Sequence, residues 1–370
     1  MSRNSHRIER QSSDAAWTLS LTLPGDAVLY LLLPLHAASF GVSLPEVGLL
    51  LAANRLVRIA GYGWVARQFQ QRGPRTVCII AVLAAACAAA GYALSTGVWL
   101  LLAARVVWGL AFAALNITTQ VLATAEPAGA AQRNGRARAI IAVGSMVGLL
   151  AGAVLSEVLG SRPVFGVLAF VSLAALLFAR RLPAGPGVAT SGPRFALPSR
   201  LDTWSFVQGL TLDGLFVIGL SVLAGASMPD YAALAAGAAL AMRYLAEMLL
   251  GPVGGSIAER WGAVRLLVAL SIASAVGLAL IGGGALWTGA IAIVLLRGLL
   301  QPLPAPIAAL WNPGESRVPA IARLATWRDI GAGVGPLIAG ALLPIVPPAV
   351  LYGGAAALLV LAALAVRRGT

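Results

Sequence analysis

Seven ionisable residues stand deep inside long apolar runs, where charge is rare. Asp26 and Asp213 each lie about nine residues into a run, Arg55 and Arg58 nine and twelve, and Arg105, Arg297 and Arg243 eight, eleven and thirteen. If the runs are helices rising ~1.5 Å per residue, all seven fall in the middle third of a ~30 Å hydrocarbon core. A centred Arg or Asp costs ~2.5–3.5 kcal/mol on insertion scales, so each must face a partner, water or the interior of a helix bundle. The chemistry available there is recognition and proton exchange. A guanidinium fork pairs with carboxylate or phosphate. A buried carboxyl can trade protons near neutral pH, although a nearby arginine opposes this. With Glu247 included, five arginines face three acids at this depth. That excess points to a negatively charged or zwitterionic organic solute.

Each residue also has a structural reading. Arg243 and Glu247 are four apart on one helix face and can pair with each other. Arg105 can bond helix carbonyls instead of touching a solute. Arg55 and Arg58 share a face with Tyr62, and Asp26 is either a titrating group or the fixed partner of one of them. Asp213 is the mate of Asp26 in an internal repeat. Arg105, Phe112, Asn116 and Thr119 recur at roughly helical spacing, which makes a polar stripe or a packing seam.

The elements that must hold these groups follow from composition. The chain is 59% hydrophobic and 11% charged, where a soluble domain carries roughly 25% charged residues. A lipid bilayer is the solvent that fits. At ~20 apolar residues per span, 370 residues hold twelve spans: 17–40, 46–68, 75–95, 97–123, 136–160, 162–180, 204–226, 230–258, 264–283, 286–311, 318–342 and 346–366. The runs do not alternate apolar with polar as membrane strands do. The net charge of +13 does not mark a nucleic-acid protein, because the arginines follow the topology. Segments and span ends on one side hold twenty, with Arg328 a doubtful member ten residues into its span; the other side holds only Arg162. This asymmetry places both termini in the cytoplasm. The polar N-terminus lacks the short apolar core of a signal peptide, so the first span should remain as an anchor. Cys78 and Cys87 lie nine apart in one run and should not form a disulfide, and no metal or cofactor pattern is present.

A Pro-, Gly- and Ser-rich stretch at 182–203 divides the chain into segments 1–181 and 204–370. The halves echo each other. Leu21–Asp26 (LTLPGD) resembles Leu210–Asp213 (LTLD), Leu101–Arg105 resembles Val294–Arg297, and Gly148–Gly152 resembles Gly335–Gly340. Internal repeats of this kind build rocking-bundle transporters. Two loops carry a second echo. GPVGGSIAERWGAVR, from Gly251 to Arg265, contains Gly255, Glu259, Arg260 and Gly262; ARQFQQRGPR, from Ala66 to Arg75, keeps Gly73 and Arg75 but has Gln70 in the place of the acid.

These loops resemble the signature of the major facilitator superfamily, a Gly, three residues, Asp-Arg, one residue and Gly, found after its second and eighth helices. The fourth span carries Arg105 and Gly109 like the family's Arg and Gly there. The fifth carries Gly144, Gly148 and Gly152, the glycine skeleton of a motif of family antiporters, with Leu149 in the place of its Pro. The eleventh span keeps that pattern better, at Gly331, Gly335, Pro336 and Gly340. Close helix packing explains the same glycines.

The resemblance implies an all-α membrane protein of twelve transmembrane helices in two pseudo-symmetric six-helix bundles. It implies a monomer in the cell inner membrane that works by alternating access and has no enzymatic activity. The expected cavity residues are Asp26, Arg55, Arg58, Arg105, Asn116, Asp213, Arg243, Glu247 and Arg297. The loop residues expected to govern the conformational switch are Gly73, Arg75, Gly255, Glu259, Arg260 and Gly262. The expected partners are a small solute, protons carried through Asp26, and lipid. Proton-coupled efflux is the first expectation; uptake of an organic anion, and a sensor built on the same fold, are the alternatives.

Overall fold

The computed structural model of the 370-residue chain describes residues 3–185, 197–227 and 232–368. Half of the sequence-predicted linker, 186–196, lies outside the described residues, as does the turn before the eighth span. Among the described residues there is no strand, and fifteen α-helices account for nearly all of the chain.

The first span is split into α1 (Arg3–Thr22) and α2 (Pro24–Leu35). Pro24 has no N–H to give, so it fits the first position of the second piece and breaks the ladder before it. A 3₁₀ turn, Ala37–Phe40, closes the span at Gly41, which is left-handed with φ 67°. The helix α3 (Leu44–Leu94) runs 51 residues, capped by the reciprocal Ser43–Glu46 box. Its ~75 Å, at 1.5 Å per residue, is more than twice a ~30 Å hydrocarbon core. It therefore holds two predicted spans, parted only at Gly73, where φ is 77°. Then come α4 (Val98–Ala123), α5 (Ala130–Leu159), and the pair α6 (Pro163–Ala174) and α7 (Leu176–Ala179).

The seventh span has three parts: α8 (Arg200–Gln208), a π-helical segment (Gly209–Leu215) and α9 (Phe216–Ser227). It is followed by α10 (Ala232–Trp261), α11 (Ala263–Gly282), α12 (Leu286–Leu300), α13 (Pro304–Trp311), α14 (Arg317–Leu342) and α15 (Pro348–Arg367). Among the described residues, eight helical stretches are long and apolar enough to cross a membrane. One of these is α3, which counts twice. The paired α6 and α7, α10, and α14 fall on the other three predicted spans. The first helix starts well before position 17, and the tenth span is broken between α12 and α13.

The described residues fall into two compact units. One comprises those of 1–126, 140–192 and 312–322, the other those of 127–139, 193–311 and 323–370. In the first, α5 lies on the broken first span. A Cβ on Gly148 would sit 2.7 Å from Pro24, and one on Gly144 would strike Ser20. In the second, α14 lies on the π-helical segment. A Cβ on Gly335 would come within 2.6 Å of Leu215 N and 2.7 Å of Gly214 Cα. Lipid tails are as apolar as the core, so this close van der Waals contact, rather than hydrophobic burial, holds such helices together.

Candidate functional site

The two units each place an aspartate–arginine pair within their apolar interior. In the first, Arg105 of α4 is fully buried. Its Nη1 donates to Asp26 Oδ1, its Nε to Leu50 O at 3.1 Å, and its Nη2 to Tyr30 Oη at 3.3 Å. The Tyr30 ring lies under the guanidinium, 5.3 Å from its carbon. Asp26, which the sequence offered to Arg55 or Arg58, forms an ion pair with Arg105 of another span. Opposite charges that share a buried site relieve each other's desolvation. Arg58 stands over the Phe112 ring at 4.6 Å, and Arg55 is partly buried three residues earlier on α3. Asn116 is buried on α4 and accepts from Gln120 Nε2 at 3.0 Å, within its own helix.

The second unit concentrates more charge. Asp213 Oδ1 accepts from Arg297 Nε at 2.7 Å and Arg243 Nη2 at 3.0 Å. Asp213 Oδ2 accepts from Arg328 Nε at 3.0 Å and Gln208 Nε2 at 3.3 Å, and Arg328 Nη2 is 2.9 Å away. Arg297 Nη1 reaches Glu247 Oε2 at 3.5 Å. The Gln301 amide, oriented so that its oxygen accepts, takes Arg297 Nη2 at 3.0 Å and Arg328 Nη2 at 3.3 Å. The expected pairing of Arg243 with Glu247 is replaced by these longer-range partners: Arg243 reaches Asp213, and Glu247 reaches Arg297.

The π-helical segment explains how one aspartate gathers so many donors. A π-helix bonds i to i+5, so Gln208 and Asp213, five apart, share a face and bond each other. The repeat noted in the sequence lines up here. Asp26 with Arg105, and Asp213 with Arg297, are repeat mates, and each pair meets within its own unit. The first half reaches this through a Pro–Gly break and the second through a π-helix.

Arg328 was assigned by sequence to the cytoplasmic side, yet it sits on Asp213. The signal was its place ten residues into an apolar span. Gln208, Gln301 and Tyr30 were missed because a neutral polar side chain in an apolar run carries no such flag.

The loop residues are positioned separately. Glu259, at the end of α10, accepts from Ala131 N at 2.9 Å and Gly129 N at 3.2 Å. It thereby caps the first turn of α5, where backbone N–H groups lack helical partners and the helix dipole favours an anion. Gly255 packs against the same turn, since a Cβ there would lie 2.9 Å from Gln132 Cα. Gly262 takes φ 89° to turn the chain from α10 into α11. Arg260 lines an open cleft with Pro252, Val253, Ser256 and Ile257.

The first loop is anchored differently. Arg75 donates from Nε to Leu182 O at 2.7 Å and from its backbone N to Pro183 O at 3.3 Å. Gly73, at φ 77°, leaves no room for a Cβ beside the Gly185 carbonyl. Gln70 is buried. The matching helix-end contact in this unit uses a cation. Arg317 Nη1 donates to Thr124 O and Ala125 O, both at 3.1 Å, at the C-terminus of α4, the helix end that attracts positive charge.

Comparison with known proteins agrees with this architecture. The profile of the Major Facilitator Superfamily matches residues 16–229. Solved structures of similar fold include the human organic anion transporter MFSD10 (TETRAN). It is 15% identical with a TM-score of 0.78, over 97% of this chain and 99% of that one. The Escherichia coli fucose:proton symporter FucP, in a variant form, is 13% identical with a TM-score of 0.72, over 97% and 98%. At these identities the likeness is one of fold. No curated protein sequence matches the chain.

Proposed function

The chain belongs to the major facilitator superfamily, and we propose that it is a secondary active transporter that moves a small organic anion or zwitterion by alternating access. One observation carries this reading. Arginines gather around single aspartates inside apolar units, with three on Asp213 and one, Arg105, on Asp26. Retaining so much positive charge in lipid-facing helices is costly, and a negatively charged solute would share that charge. Arg58 and Phe112 add a cation and a ring to the unit that holds Asp26.

Protons are the proposed coupling ion, with Asp26 exchanging one when its pair with Arg105 opens during the cycle. Efflux is the proposed direction, on the glycines of α5 that the family's antiporters share; uptake of the same anion is the reverse reading. The Glu259 cap on the first turn of α5 would be one contact that opens and closes during the cycle. Both termini would face the cytoplasm of the inner membrane, on the arginine asymmetry.

A thermal-stability screen of the purified protein against anionic, zwitterionic, neutral and cationic solutes tests the charge assignment. A solute at 100 times its Kd adds about 2.7 kcal/mol of apparent stability. Anions or zwitterions should raise the melting temperature; protection by cations alone would contradict the reading.

A further inference from the structure

Tyr92 of α3 is 2% exposed, and its phenol oxygen has no hydrogen-bond partner among the described residues. Buried polar groups are nearly always satisfied, so one that is not needs a reason. The ring is fixed edge-on to Phe165, with centroids 5.6 Å apart. The preceding residue, Gly91, packs on α4, where a Cβ would lie 3.2 Å from Ala104 Cβ. That contact sets Tyr92 beside Arg105, whose charge feels Asp26, Tyr92 and Tyr30. We propose that Tyr92 is a positioning residue of the proton-coupling step, the acceptor that takes the Arg105 guanidinium when Asp26 is protonated. This rests on the proton reading above and deepens it.

In that step the Asp26 carboxylate takes up one proton and becomes neutral, and Arg105 keeps its own charge. The ion pair between Arg105 Nη1 and Asp26 Oδ1 is lost. The Arg105 side chain is 0% exposed, so it cannot turn to water, and an uncompensated buried charge is costly. Neutral acceptors must hold it. Two already do: Leu50 O takes Nε at 3.1 Å, and Tyr30 Oη takes Nη2 at 3.3 Å. The Tyr30 hydroxyl is oriented for this, because its O–H donates to Leu51 O at 3.3 Å and leaves its lone pairs to Arg105. The group that loses its partner is Nη1, and the unused Tyr92 oxygen is the acceptor left for it. Tyr30 is bonded in both protonation states. Tyr92 is idle while Asp26 is charged and engaged when it is neutral, so its phenol favours proton uptake.

The helices packed around the pair bring few other charges. Arg105 is the only charged residue of α4 and Asp26 the only one of α2; α6 has none. The sequence of α1 has none after Asp14, and that of α5 has none between Arg138 and Glu157. From α3 come Arg55 and Arg58, the latter over the Phe112 ring.

The carbonyl stretch of a protonated carboxyl, followed by infrared spectroscopy as the purified full-length protein is titrated with acid, reports proton uptake and needs no solute. The band lost in Asp26→Asn belongs to Asp26; if that variant does not fold, Asp26→Asn with Arg105→Gln supplies the reference. Tyr92→Phe keeps the ring and removes only the oxygen. It should move the midpoint of the Asp26 band to lower pH by about one unit, a tenfold change in proton affinity. The melting temperature at neutral pH should stay the same or rise, since an unsatisfied buried group is gone. Tyr30→Phe should lower that melting temperature and move the midpoint less. A midpoint unchanged or raised in Tyr92→Phe, or moved no further than in Tyr30→Phe, would overturn the role of Tyr92 and leave the proton reading standing. No Asp26 band at any pH where the wild type stays folded would contradict the proton reading itself, and this proposal with it.

Discussion

Arg105 is shut off from solvent, and Asp26 is the acid that neutralises it. Removing one partner of a buried pair leaves a charge uncompensated, at a cost of about 3–5 kcal/mol. Asp26→Asn should therefore lower the thermal stability of the purified protein by that order. Adding Arg105→Gln should restore part of the loss, because contacting residues are coupled; no recovery in the double variant would show that Arg105 is held mainly by Leu50 O and Tyr30. Arg58 poses a separate question. It stands twelve residues before Gln70, as Glu247 stands twelve before Glu259, so the repeat reverses the charge at this place. If the Arg58 fork binds solute, Arg58→Lys should raise the apparent KM for transport and Arg58→Gln should raise it further. Equal KM values with reduced expression would instead mark a structural residue.

At the scale of elements, two irregular segments present the aspartates: the Pro24 break and the Gly209–Leu215 π-helix. The second is pinned by α14. Gly335→Ala would press a methyl group into Leu215 N and Gly214 Cα, and overpacking of this kind typically costs 1–3 kcal/mol, here about 2. Gly340, five residues on, has nothing within 4 Å of a Cβ, so Gly340→Ala should leave the melting temperature unchanged. Equal effects at the two sites would show that the α14 glycines do not pack as described. The cap on α5 can be tested in the same way. Glu259→Gln removes the charge that faces the helix N-terminus, worth ~0.3–1 kcal/mol. Transport should fall, or the conformational balance shift, as read by the accessibility of single cysteines to a thiol reagent; an unchanged profile would assign the cap no role in the cycle.

Across the whole molecule, much of the architecture was legible because lipid imposes a simple rule. Each span had to be an apolar run, so twelve helices could be drawn from composition and the arginine pattern. The place of Asp26, Arg105, Asp213, Arg243 and Arg297 within long helical, apolar stretches was legible too, since distance along a helix is residue count. Partners were not. Asp26 meets Arg105 across 79 positions and Arg328 meets Asp213 across 115, and no spacing rule links residues so far apart. The π-helix was hidden as well, since LTLD reads as ordinary helix; only its shortening against LTLPGD hinted at different local geometry. The topology reading yields its own test: a cysteine at Thr190 should resist an impermeant thiol reagent added to intact cells, and one at Thr96 should react. The most direct test of the central claim is flux of radiolabelled benzenesulfonate, an anion that does not leak through lipid as a neutral acid, into proteoliposomes with an imposed pH gradient. The wild type should show saturable flux that collapses when a protonophore removes the gradient, and Arg243→Gln should raise its apparent KM at least tenfold. Flux no greater than in protein-free liposomes, or the same KM in the variant, would contradict the account.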